Sequence, residues 1–112
     1  MDRLDEYRGI IRSILTEHAR VPFSVGDLRS ETVFDRESDR YVLLVVGRDH
    51  ERRRVNVPII HIDIIDGKLW VQADGTEYGV AQELVDAGVP KDRIVLGFKS
   101  PEARKYTDFA VA

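Results

Sequence analysis

IHIDIIDGKLWVQAD, residues 60–74, decides the fold, because Asp66-Gly67 is a two-residue corner between two runs of alternating apolar side chains. A type I′ turn at that corner sets Ile65 opposite Lys68, Ile64 opposite Leu69, Ile62 opposite Val71 and Ile60 opposite Ala73. A strand changes face at every residue, so this register predicts one dry face and one mixed face. On the mixed face Asp63 stands opposite Trp70, His61 opposite Gln72 and Ile59 opposite Asp74, and function is expected there.

Working outward, the strand ending at the corner starts near Arg53, and Pro58 within it requires a bulge or a place where the neighbouring strand has ended. Tyr41–Val46 is apolar at every position and reads as a central strand covered on both sides. A first strand is expected at Glu31–Phe34, joined to it by the charged turn DRESDR, with Pro22–Ser30 as a connector that tucks Phe23 and Val25 under the sheet. Four strands joined by short turns make a meander.

Helices flank this sheet. Leu4, Tyr7, Ile11, Ile14 and His18 form one seam of an N-terminal helix capped by Asp2, with His18 in its last turn. After the hairpin, Thr76 is placed to cap a helix over Glu77–Ala87, with Gly88 taking a left-handed conformation at its end. Ile94–Phe98 follows as a fifth strand or buried extended segment, and Ser100-Pro101 opens a short third helix. Phe109 and Val111 are too apolar for a free tail and are expected to dock. The reading is an α+β fold: an antiparallel four- to five-stranded meander sheet with N-terminal and C-terminal-half helices packed on it, one domain over residues 1–112.

Composition narrows the function. The chain has no cysteine, which removes disulfides, thiolate nucleophiles and sulfur-ligated metals. Its first twenty residues lack the apolar core of a secretion signal, and no run approaches the roughly eighteen apolar residues of a membrane span. A cytoplasmic protein with no membrane contact is expected. A net charge of -3 gives no global attraction to nucleic acid. The local exception is Arg48-Asp49-His50-Glu51-Arg52-Arg53-Arg54, where Arg48, Arg52, Arg53 and Arg54 are the candidates for a nucleic-acid contact.

The mixed face carries the remaining chemistry. His61 and Asp63 share it with Gln72 and Asp74, an arrangement that suits an interface needing paired polar groups, with Trp70 as its aromatic anchor. Packing of Trp70 under the first helix or the C-terminal tail is the competing expectation. Arg104 is a candidate for a bidentate lock on Asp74 or Glu77. The same His61, Asp63 and Asp74 could hold Mg²⁺ or Mn²⁺ in a metal-dependent hydrolase, the weaker alternative. There is no HExxH helix, no phosphate-binding glycine loop and no nucleophile set beside a His-Asp pair, so neither an enzyme, a metal nor a cofactor is expected.

HIDI at 61–64, GKLWVQ at 67–72, DGTE at 74–77, AQELVDAGVPKDRIVLGF at 81–98 and P-x-x-R-x-Y-T-x-F-A-V at 101–111 resemble the XisI family of fdxN-element excision controlling factors, found chiefly in cyanobacteria. LDEYRGIIRSILTEHA and ETVFDRESDRYVLLVVG resemble it too, so the likeness spans nearly the whole chain. It implies an accessory factor in programmed DNA excision during heterocyst development, working beside a recombinase and an XisH-type protein. A homodimer or a subunit of a hetero-complex is expected. It carries over no catalytic residue. His61, Asp63, Trp70, Gln72, Asp74, Glu77 and Arg104 are therefore interface candidates.

Overall fold

A computed structural model describes residues 3–23 and 26–112. The expectations for Asp2 and Val25 lie outside those residues. The chain runs α1 (Arg3–Ala19), β1 (Asp27–Asp35), β2 (Arg40–Arg48), β3 (Arg54–Ile65), β4 (Lys68–Asp74), α2 (Val80–Asp86), β5 (Ile94–Leu96) and α3 (Pro101–Arg104). The strands form one sheet in the order β1-β2-β3-β4-β5. The first four are antiparallel neighbours, and β5 joins parallel to β4 after the α2 connection, which makes the sheet a meander with one parallel edge.

The Asp66-Gly67 corner has both φ angles positive, 51° and 78°, as a type I′ turn requires. Ile65↔Lys68, Ile64↔Leu69, Asp63↔Trp70 and Ile62↔Val71 pair as expected. The register then slips. His61 pairs with Ala73 and Ile60 with Asp74, leaving Gln72 as an extra residue in β4. A matching slip between β2 and β3 pairs Leu43 with Ile60 and Leu44 with Pro58, so Ile59 is extra in β3. Pro58 thus satisfies both conditions set by its missing amide hydrogen: it adjoins a bulge, and β4 has already ended beside it.

Four expectations change. β1 begins at Asp27 instead of Glu31, so the connector is shorter, and Phe23 is exposed instead of tucked away. β2 is interior but not central, that place belonging to β3, and on its outer side Val42 and Leu44 are only half-buried. α2 starts at Val80 instead of Glu77. At the C terminus Phe109 packs on the core and Ala110 bridges Val95, whereas Val111 stays exposed.

The core lies between the sheet and the two longer helices. Tyr7, Ile11 and Leu15 of α1 and Val80, Ala81 and Leu84 of α2 meet Tyr41, Leu43, Ile60, Ile62, Leu69 and Val71 of the sheet. Polar ties fix the helices on this layer. Arg8 donates from Nε and Nη2 to the two oxygens of Asp39 at 2.8 and 3.1 Å, and the Tyr41 hydroxyl donates to Asp39 Oδ1 at 3.0 Å. At the other end of α1, His18 Nε2 lies 2.7 Å from Glu83 Oε2 of α2.

Gly79 offers no side chain to cap α2, and Asp74 caps it from the sheet. Its Oδ2 accepts the Val80 amide at 2.8 Å, while Oδ1 accepts the Thr76 amide and hydroxyl at 2.9 and 2.6 Å. Thr76, the expected cap, instead accepts the Gly79 amide at 3.2 Å. Asp74→Ala is expected to cost about 1–2 kcal/mol of unfolding free energy, the range for a lost helix cap, measured by urea titration. A second outcome concerns acid. The Arg8 guanidinium, with the Tyr41 hydroxyl, holds the Asp39 carboxyl below its usual range despite partial burial. The depressed folded pKa means that this stabilisation is full above the unfolded aspartate pKa of about 3.9 and is lost as pH falls through the lower folded value. Asp39→Asn should therefore lower stability at neutral pH and flatten its acid limb.

Candidate functional site

The outer face of the hairpin brings together His61, Asp63, Trp70 and Gln72. His61 Nε2 lies 2.7 Å from Asp63 Oδ1, and Gln72 Nε2 donates to Asp63 Oδ2 at 3.4 Å. Both oxygens of Asp63 are thereby occupied, and its side chain is only 14% exposed. The Gln72 bulge aids this geometry, because Gln72 and Ala73 both fall on the outer side instead of alternating.

Asp74 does not join the cluster. The extra residue turns it to the helix side, opposite Ile60, where it caps α2. His61, Asp63 and Asp74 therefore do not converge, and among the described residues no group of three His, Cys, Asp or Glu side chains could hold a metal ion. Ile59 is likewise turned from the mixed face and packs against the core. Glu77 is exposed just ahead of α2.

Trp70 is packed by the C-terminal segment, the second of the two expectations for it. Arg104 of α3 lies over the indole with its guanidinium carbon 5.0 Å from the ring centroid. Its Nε donates to the carbonyls of Leu96 and Lys99 at 3.3 and 3.1 Å, and its Nη1 to that of Val111 at 3.4 Å. Arg104 is thus a lock between α3, the tail and the hairpin, and not a partner of Asp74 or Glu77. α3 begins as expected, with Ser100 Oγ accepting the Ala103 amide at 3.2 Å.

Gly97 was not singled out from the sequence, yet it sets how closely this segment approaches. A Cβ there would lie 2.5 Å from Gln72 Oε1 and 3.2 Å from the Trp70 ring, too close for any other residue without displacement of the cluster. The next residue, Phe98, is about half exposed, and Lys99 lies against its ring. The only sequence signal for this contact is a glycine inside the otherwise apolar run Ile94–Phe98.

The arginine-rich tip is mainly a self-tied turn. Asp49 accepts the amides of Glu51 and Arg53, each at 2.9 Å, and pairs with the Arg53 side chain at 3.2 Å; these bonds hold its carboxyl below the usual range. Arg53 also meets Glu51 at 2.9 Å, and Arg48 donates to the Arg52 carbonyl. Arg54 pairs across the strands with Arg48. Within the tip the guanidinium groups of Arg52 and Arg54 make no hydrogen bond or ion pair with the described residues, which leaves a small basic surface.

Residues 1–111 match the family model described as XisI protein. The chain belongs to the XisI family. A crystal structure of a XisI-like protein from Anabaena variabilis ATCC 29413 superposes with a TM-score of 0.89 at 38% identity, covering 97% of this chain and 99% of that one. A second, of the fdxN element excision controlling factor XisI from the same organism, gives a TM-score of 0.82 at 33% identity, covering 99% and 100%. No curated protein matches. The XisI fold therefore accounts for the whole α+β arrangement. No helix among the described residues is long and apolar enough to cross a membrane.

The packing of the outer face gives a direct test. Arg104→Ala is expected to red-shift the emission of Trp70, the chain's one tryptophan, and to speed tryptic cleavage after Lys105, because the guanidinium both shields the ring and ties down the tail. Unchanged emission and cleavage would separate Arg104 from both roles.

Proposed function

We propose that this XisI-family chain is a non-catalytic accessory protein that binds an XisH-type protein through the outer face of the β3–β4 hairpin and so takes part in controlling excision of a DNA element. The observation that carries this reading is the pre-arranged His61–Asp63–Gln72 cluster beside the Trp70–Arg104 stack, in a chain whose family includes an excision controlling factor. Polar groups already paired with one another do not have to be ordered when a partner arrives, which reduces the entropic cost of association. The half-exposed Phe98 and the exposed Tyr106 adjoin the stack along the chain and supply the aromatic area typical of contact centres.

The direct nucleic-acid reading is less well supported. Most of the tip's arginine hydrogen bonds are spent inside the turn, and the chain as a whole is acidic. The metal-dependent hydrolase reading loses Asp74 to the helix cap.

Mixing or co-expressing the chain with an XisH-type protein at micromolar concentration should give one stoichiometric species on size exclusion. Phe98→Ala and Asp63→Asn should each weaken that complex by about tenfold or more while leaving the far-ultraviolet circular dichroism unchanged. Separate elution of the two folded proteins would overturn the reading.

A further inference from the structure

β1 forms one side of the sheet, and among the described residues no strand pairs with its outer edge. Along Asp27–Asp35 every second residue therefore presents a backbone donor and acceptor that β2 does not use. Charges usually protect such an edge, and this one carries Asp27, Arg29, Glu31 and Asp35. Their order matters. Arg29 and Glu31 share the outer face with Val33, and Arg29 Nε donates to Glu31 Oε1 at 3.0 Å, so opposite charges stand side by side.

Antiparallel pairing with β1 of a second copy admits only registers that keep each side chain on its own face. A two-fold axis through Glu31 gives the longest overlap but sets Glu31 against Glu31 and Asp27 against Asp35, which repel. Moving the axis to Ser30 removes both clashes. Each Arg29 then faces Glu31 of the second copy, and the two intrastrand pairs become a ring of four alternating charges. An axis through Thr32 would pair Arg29 with Asp35, but the Asp35 oxygens already accept the Glu37 and Ser38 amides and the Ser38 hydroxyl.

An independent feature lies on the opposite face. Ser30 borders an apolar groove between the end of α1 and the sheet, where His18, Val21, Phe23, Leu43 and Val45 meet. Val21 and Phe23 are 64% and 41% exposed, unusual for two large apolar side chains so close together. An axis through Ser30 sets the two grooves side by side, so that these side chains shelter one another.

We propose that β1 pairs with β1 of a second copy of this chain about a two-fold axis at Ser30, joining the two sheets into one. The surface is separate from the hairpin face and leaves it open.

The absence of cysteine makes the register testable, since Ser30→Cys introduces the only thiol. Directly opposed residues of antiparallel strands have Cα atoms about 4.5–5.5 Å apart, within disulfide range. Under mild oxidation Ser30→Cys should form a covalent dimer, whereas Thr32→Cys should not. In sedimentation the unaltered chain should run at twice its 12.8 kDa mass. Arg29→Glu and Glu31→Arg should each weaken the dimer by about tenfold, and the two together should restore it, because the ring of charges is rebuilt with signs exchanged. Circular dichroism checks that each variant is folded. A folded monomer at micromolar concentration, single reversals without effect, or a crosslink at Thr32→Cys in place of Ser30→Cys overturns the proposal. Phe98→Ala should leave the dimer intact, so failure of the hairpin-face reading and failure of this one are told apart.

Discussion

The extra residue in β4 governs both faces of the molecule. Were the alternation after Trp70 unbroken, Asp74 would point outward with Gln72, and the first amides of α2 would have no carboxylate from the sheet. One inserted residue inverts everything after it, because the side-chain period of a strand is two. Gln72 stays on the outer face and reaches Asp63, while Asp74 turns inward and takes the Val80 amide. The same slip thus assembles the polar cluster and seats the helix that closes the core. Gly79, with φ 96°, lets the chain leave the Asp74–Thr76 turn and enter α2.

The outer face is closed differently, by backbone approach and not by a helix layer. Val95 stands beside Trp70 on that face and is fully buried, with Ala110 bridged to it. Arg104 completes the cover by binding three carbonyls while its guanidinium lies on the indole. A lysine could not reproduce this, since it lacks the planar fork and the flat face that stacks. Covering stops there: over β2 and the early part of β3 the outer side keeps Val42, Leu44 and Pro58 at intermediate or full exposure.

The hairpin register and the I′ corner were legible in the sequence because Asp-Gly and strict apolar alternation are both local signals. So were the seam of α1 and the Ser100-Pro101 start. The bulges at Ile59 and Gln72 were not, since nothing in HIDI or WVQAD marks an inserted residue; Pro58 hinted at the first, and the second had no local signature. That one omission misplaced Asp74, and with it the metal reading and the proposed Arg104 lock. Arg104 illustrates a second limit. Its partners are backbone carbonyls and a ring across the fold, and sequence patterns of charge seek carboxylates first. The β1 boundary failed for a simpler reason, because Asp27, Arg29 and Ser30 are polar on an edge strand, where burial does not impose alternation.

The charge pattern links these surfaces to function. An acidic chain that relied on nucleic acid for affinity would need a dense, unpaired basic stripe. Here arginines are used as geometric locks: Arg8 on Asp39, Arg53 on Asp49 and Glu51, Arg104 on carbonyls and Trp70. Each such contact fixes a side chain at the cost of its freedom to meet a phosphate. The result is a stiff surface with few unassigned cations, which favours recognition by shape and by paired polar groups. Such recognition suits the proposed contact with a protein partner that has a folded surface of its own.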